Sequence, residues 1–239
     1  MKQPSPAYYA RPGGRPADLW TLLHPPYTAW NLAYVAIGAA LAPTVHWPVL
    51  AALLAAFFCG TGIAAHALDE LHGHPLRTGF TESELKLLAG GGLGLSFVLA
   101  LWAAWLTTPV LLLFYGVGAC LVLAYNLEWW AGLIHTDLGF ALSWGAFPVI
   151  VGYWSQTGAF SNTAVAAAGA ATLLSLAQRS LSTQARFLRR RVTGGAVRFT
   201  TAEQEVRWDL GQLLATWERP LKLLSWAVVS LAIGLLIKK

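Results

Sequence analysis

Three histidines and two carboxylates crowd one short stretch, Ala65-His66-Ala67-Leu68-Asp69-Glu70-Leu71-His72-Gly73-His74, at the end of a long apolar run. Ionisable groups are costly at the edge of a bilayer's hydrocarbon slab, so they are rare there unless paired, metal-bound or functional. His66, Asp69 and Glu70 are spaced i, i+3, i+4 and share one face of a continuing helix. A second group, Glu128, His135 and Asp137, lies farther along the chain; Glu128 and His135 are seven apart, again one face if that backbone is helical. Oxygen and nitrogen donors of this kind suit a divalent cation. Carboxylates favour Mg²⁺ or Mn²⁺, and several imidazoles shift the preference toward Zn²⁺ or Fe²⁺. The candidate metal ligands are therefore His66, Asp69, Glu70, His72, His74, Glu128, His135 and Asp137, with Asp69, Glu70 and Asp137 as candidate catalytic carboxylates. Plainer readings stand beside these: His72 and His74 as loop residues around Gly73, Asp69 as a partner for Arg77, Glu70 as a cap for a neighbouring helix, Asp137 as an N-cap. The spacing matches neither the His-Glu-x-x-His of zinc proteases nor the repeated His boxes of membrane desaturases.

The elements that must position these groups are membrane helices. Of 239 residues, 56% are hydrophobic and only 11% are charged, a balance that excludes an ordinary soluble domain. Seven segments are long and apolar enough to span, at about 27–42, 49–68, 85–106, 109–127, 138–154, 163–181 and 221–237. The stretch from Met1 to Leu23 has no apolar run of the length a secretory signal needs. Residues 1–26 read as a cytoplasmic segment and 27–239 as a single membrane domain.

Orientation follows from the basic residues. Lys2, Arg11 and Arg15 precede the first span, Arg77 and Lys86 lie between the second and third, and a basic series from Arg179 to Lys222 lies between the sixth and seventh. The connections near 43–48, 107–109 and 155–162 contain no Lys or Arg. The positive-inside rule then makes the N-terminus cytoplasmic, together with the face that carries both polar clusters. Only Lys238 and Lys239 run against it. The net charge of +5 is concentrated on that face and meets anionic lipid head groups rather than nucleic acid. Cys59 and Cys120 fall inside predicted spans as apolar thiols, and no disulfide is implied.

Two internal features complete the reading. Gly90-Gly91-Gly92-Leu93-Gly94 lies in the third span and serves close helix approach, not phosphate binding. The segment 182–219 is too charged to span. Within it Ala202–Leu210 reads as helical, with Glu203 and Arg207 at i,i+4. Leu210, Leu213, Leu214 and Trp217 extend an apolar stripe, giving a cytoplasmic interfacial helix that ends at Arg219-Pro220.

His24–Asn31, Ala65–Gly73, Tyr125-Asn126, Thr136–Leu138 and Trp144–Tyr153 are together similar to motifs of the UbiA-type prenyltransferase superfamily of polytopic membrane enzymes. His24-Pro25-Pro26-Tyr27-Thr28-Ala29-Trp30-Asn31 resembles that family's first-helix opening. Ala65–Gly73 occupies the place of its first Asp-rich motif, Asn-Asp-x-x-Asp-x-x-x-Asp, whose Asn and three Asp positions fall on Ala65, His66, Asp69 and Gly73. Tyr125-Asn126, Thr136-Asp137-Leu138 and Trp144–Tyr153 resemble patterns of its fourth and fifth helices. The second Asp-rich motif is absent: Gln178–Arg186 contains no acid, and two of the family's usual nine helices have no counterpart.

The resemblance implies an all-α polytopic bundle of about seven spans in which Mg²⁺ holds an isoprenyl diphosphate, whose allylic cation is captured by an acceptor. On this reading Asn31, Arg77, Tyr125, Asn126, Arg179 and Arg186 contact substrate; where the second motif is absent, either Arg179 and Arg186 grip the phosphate directly in place of one metal, or the scaffold has been turned to other chemistry. The function expected is therefore that of a metal-dependent enzyme on a lipidic or isoprenoid substrate, a divergent prenyltransferase. A His/carboxylate Zn²⁺ or Fe²⁺ lipid hydrolase or oxidase is the first alternative. A non-catalytic transporter or assembly factor is the second.

Overall fold

Side-chain caps and prolines set the helix boundaries. The computed structural model describes residues 5–239. After α1 (Gly14–Leu22), Pro25 and Pro26 start α2 (Pro25–Ala40), where their missing N–H groups cost nothing. Trp47-Pro48 opens α3 (Trp47–Leu71). Thr81 and Glu84 form a reciprocal capping box at the head of α4 (Glu82–Leu106), as the Thr-x-x-Glu spacing predicts. After α5 (Leu111–Asn126), Thr136 caps α6 (Asp137–Thr157) by accepting from the Gly139 N–H, so the cap is Thr136 and not Asp137. Gly158, in the left-handed region at φ 66°, ends α6. Ser161 caps α7 (Asn162–Arg191).

The structure is a predominantly helical bundle, and four of its helices, α3, α4, α6 and the last, are long and apolar enough to cross a membrane. Leu87, Leu95, Trp105, Leu113, Leu173, Leu223 and Trp226 project from its outer surface. An apolar exterior of that extent suits contact with lipid.

The basic segment departs from its predicted helix. Residues Ala196–Thr200 (β1) and Glu205–Asp209 (β2) form an antiparallel hairpin in which Val197 faces Trp208 and Phe199 faces Val206. Apolar residues alternate with Arg198, Thr200, Glu205 and Arg207, a period of two that outweighs the Glu203–Arg207 helical spacing. Thr201 closes the turn, its hydroxyl accepting from the Glu203 and Gln204 N–H groups. Helix α8 (Leu210–Ile237) starts at an Asp209–Gln212 capping box and runs through Pro220 without ending there. Pro220 removes a single ladder donor, and the packing of Leu214, Glu218, Leu221 and Ser225 on either side keeps the helix continuous.

Helix α2 forms the centre, packed against α6 and α8. Its crossing with α6 depends on two glycines. A Cβ on Gly38 would lie 2.1 Å from the Val149 carbonyl oxygen, and one on Gly152 would lie 2.2 Å from that of Val35. Only backbones without side chains approach so closely. In the Gly90–Gly94 stretch, by contrast, only Gly92 is a close-approach position, against Cys59 and Ala64; the other three face open space.

Two helices contain π-helical segments, Phe58–Ala65 in α3 and Leu142–Ala146 in α6. Such segments release backbone groups from the regular ladder and occur often at functional sites.

Candidate functional site

The start of α2, the end of α3, the end of α5, the start of α6 and the second half of α7 meet at one end of the bundle. There they enclose a cavity of about 260 Å³, closed on a further side by the N-terminal segment around Tyr8 and Tyr9.

One wall is cationic. Arg179, Arg186, Arg189 and Arg190 all line the cavity from α7. Positions separated by seven, ten and eleven residues recur on one helical face, which explains why the series points inward together. Their partners differ. Arg179 donates from Nε to Asp137 Oδ1 at 2.8 Å and from Nη1 to Tyr125 Oη at 2.6 Å. Arg189 grips the buried Glu218 carboxylate with both Nε and Nη2, the latter at 2.8 Å from Oε2, and also donates to Ser5. Arg190 donates to the Pro6 carbonyl oxygen; burial, reinforced by Arg186, pushes its pKa down from the ordinary guanidinium value. Arg186 donates only to the neutral Thr183 hydroxyl and has no carboxylate partner among the described residues.

The opposite wall brings together His24, His66 and Asp69. The imidazoles of His24 and His66 stack with centroids 4.1 Å apart and planes 12° apart. His66 Nδ1 lies 3.0 Å from the Gly62 carbonyl oxygen, a group near the end of the π-helical segment. Burial lowers the His24 pKa well below the usual imidazole value, and His66, Arg190 and Arg186 push in the same direction. At the floor, Asn31 donates to the Trp144 carbonyl oxygen at 2.9 Å and accepts from Thr61 Oγ1 at 3.1 Å. One amide thus joins both π-helical segments.

Of the residues singled out in the sequence, the cavity lining includes Asn31, His66, Asp69, Tyr125, Asn126, His135, Arg179 and Arg186. His135 stacks on Tyr125 at 4.4 Å, with Nδ1 2.9 Å from the Tyr125 carbonyl oxygen. The remaining six lie elsewhere. Glu70 is fully buried beneath its own loop, accepting from the N–H groups of Leu76 and Thr78 and from Thr78 Oγ1 at 2.8–2.9 Å. It organises the turn after α3. His74 Nδ1 stands 3.5 Å from Glu70, and His72 Nδ1 lies 3.1 Å from the Leu68 carbonyl oxygen. Arg77 sits exposed in that loop, in the left-handed region at φ 56°. Glu128 is exposed at φ 51°, and Trp130, Ala131 and Gly132 also have positive φ. The right-handed helical face assumed for Glu128 and His135 therefore does not exist. Asp137 is exposed and reaches the site through Arg179.

Among the described residues, no three His, Cys, Asp or Glu side chains converge as a metal centre. The cavity offers Asp69 with His24, His66 and His135, while Glu70 and Glu218 are committed to other partners. Sequence reasoning missed Tyr8, Tyr9 and Glu218, and gave His24, Trp30, Arg189 and Arg190 no place in the site. A signal was present for some: the Tyr8-Tyr9 pair in an otherwise Pro- and Arg-rich segment, and the arginine series at helical spacing.

A smaller apolar cavity of about 70 Å³ lies between α3, α4, α5 and α6, lined by Phe57, Leu93, Phe114 and Phe147 among others. Thr61 and Trp144 border both cavities. A cationic chamber thus abuts an apolar one at the level of the Asn31 bridge.

No family model, no curated protein and no solved structure matches this chain.

Proposed function

We propose that this chain is an integral membrane enzyme of divergent UbiA-like type, acting on an isoprenoid or other lipidic substrate with an anionic, phosphate-bearing head. The observation that carries the reading is the pairing of two compartments. Arg179 and Arg186 stand in a chamber whose size suits a phosphate or diphosphate, and the small apolar cavity across Thr61 and Trp144 adjoins it where the first carbons of an attached chain would lie. Guanidinium groups bind phosphate oxygens through charge-assisted, often bidentate hydrogen bonds. In this proposal seven helices span the bilayer, with the N-terminus and the cavity on the cytoplasmic side, as the distribution of Lys and Arg supports.

The carboxylate set does not fit a resident, protein-held metal centre, since among the described residues Asp69 is the only acid lining the chamber apart from the Arg189-bound Glu218. A divalent ion, Mg²⁺ first, belongs to the proposal as a companion of the diphosphate, met on the protein side by Asp69. The chain's own contribution is electrostatic. As the carbon–oxygen bond to the head group breaks, its electron pair and charge go to the departing diphosphate. Arg179 and Arg186 stabilise that charge more strongly than they stabilise the intact ester. The allylic cation is then captured by the acceptor, which loses a proton to the departing diphosphate, in a chamber lined by Tyr125, Phe140 and Trp144.

The test is transfer itself. Protein in lipid nanodiscs, supplied with Mg²⁺, radiolabelled isoprenyl diphosphate and a panel of aromatic and lipid acceptors, should release diphosphate and form a labelled product. Asp69→Asn and Arg186→Gln should lower that rate by at least a hundredfold. Wild-type protein that neither binds nor turns over any isoprenyl diphosphate sinks the reading.

A further inference from the structure

His24 combines two costs that a folded chain ordinarily avoids. Its backbone sits in the left-handed region, at φ 45° and ψ 55°, directly before Pro25. That region is uncommon for residues other than glycine, and a following proline steers its predecessor toward extended backbone. The residue is only 9% exposed, yet its Nε2 has no hydrogen-bond partner among the described residues. A buried polar atom left unpaired keeps its desolvation cost with nothing to offset it. Backbone strain and an unpaired atom on one residue of a cavity wall point to a use for that residue.

The surroundings decide what the ring offers. It stacks on His66 with centroids 4.1 Å apart, and Tyr9 and Tyr27 close in at 5.3 Å and 6.3 Å. These contacts fix the ring plane while the side chain lines the main cavity. Burial, with His66, Arg190 and Arg186 acting in the same direction, holds its pKa well below the usual imidazole value, so the ring is uncharged at neutral pH. Arg186 and Arg190 line the same chamber and can only donate. A ligand gathered by guanidinium groups therefore carries acceptor oxygens, and an imidazole that pairs with one of them must donate its N–H.

We propose that His24 is a further head-group-binding residue, whose Nε2–H donates to an oxygen of the phosphate-bearing group that Arg186 attracts. The inference rests on the head-group reading above. His24 adds a hydrogen bond without adding charge, so the arginines supply the attraction and the imidazole supplies direction. The head group in turn satisfies the one nitrogen that the protein leaves unpaired.

The experiment is equilibrium binding of dodecyl phosphate to the full-length protein in nanodiscs over a range of salt, with thermal melting read on each variant. His24→Phe keeps a planar ring and removes both nitrogens; His24→Gln keeps an amide donor. His24→Phe should bind at least tenfold more weakly, with the salt dependence of wild type, because the lost contact is uncharged. It should melt no lower than wild type, since the unpaired buried nitrogen is gone. His24→Gln should stay within about threefold of wild type, its amide N–H standing in for the imidazole's. Equal affinity of His24→Phe and wild type overturns the proposal; if Arg186→Gln loses the ligand in the same series, the head-group reading stands without it. A loss in His24→Phe that comes with a lower melting temperature assigns the residue to structure and overturns the proposal too. A flattened salt dependence in that variant would reveal a charged contact, with the same consequence. His24→Gln binding as weakly as His24→Phe overturns the donor role. Wild type that binds no dodecyl phosphate at any salt removes the head-group reading and this inference together.

Discussion

The Asn31 side chain donates to the Trp144 carbonyl oxygen across 2.9 Å, tying the central helix α2 to the π-helical segment of α6. Asn31 Oδ1 accepts from Thr61, so the matching segment of α3 is held by the same amide. The floor between the cationic and apolar chambers is therefore fixed by one 5%-exposed side chain. Asn31→Leu has similar volume but leaves the Trp144 carbonyl without this partner, while the Thr61 hydroxyl keeps its 2.7 Å bond to the Phe57 carbonyl oxygen. The expected loss is about 1–3 kcal/mol, the range for an uncompensated buried polar group. Thermal unfolding in detergent should fall by several degrees, and an unchanged midpoint would show that the bridge has no structural weight.

Asp69 and Glu70 are neighbours with opposite duties. Glu70 accepts two backbone N–H groups and a hydroxyl in a fully buried setting, and Asp69 faces the cavity. Glu70→Ala should cost about 3 kcal/mol or more by orphaning those donors. Asp69→Asn should leave stability within about 0.5 kcal/mol and abolish turnover. Paired melting and transfer assays separate the two, and the reverse pattern would exchange the assigned roles.

Arg186 and Arg189 divide in the same manner. Arg189 forms a two-point ion pair with Glu218, itself 6% exposed. Arg189→Met strands that carboxylate and should destabilise the protein by about 3–5 kcal/mol, whereas the double variant Arg189→Met/Glu218→Leu should recover most of the loss. Arg186, without a carboxylate partner, should tolerate replacement by Gln with a near-normal melting temperature. Its loss should appear in dodecyl phosphate affinity, by at least tenfold, with a weaker salt dependence.

The proposed orientation is open to direct labelling. Cys59 is buried, so Cys120→Ser leaves a background without an exposed thiol. Glu203→Cys, in the hairpin turn, should react with an impermeant maleimide only when the cytoplasmic face is accessible. Phe160→Cys, in the α6–α7 connection, should react from the opposite side. Labelling of both from one side would overturn the arrangement.

Much of the helix framework was legible in the sequence because its causes are local. The Thr81–Glu84 box, the prolines at residues 25 and 26 and the long apolar runs each act within a few residues, and the helices form where those signals lie. The hairpin was legible too, in the alternation of Val197, Phe199, Val206 and Trp208, but a competing charge spacing obscured it. The polar clusters correctly marked one end of the bundle. Which members face the cavity is a tertiary matter. A one-residue step on a helix turns a side chain by about 100°, enough to send Asp69 inward and Glu70 into its own loop. Left-handed backbone at Glu128 removed another candidate, and Tyr8 and His24 gained their places from packing between segments distant from α7 in sequence. The sequence by itself determined the elements and the end of the bundle at which charge gathers, since those depend on local periodicity. Only the tertiary structure decided the cavity, because burial and unpaired donors are properties of surfaces that meet after the chain has packed.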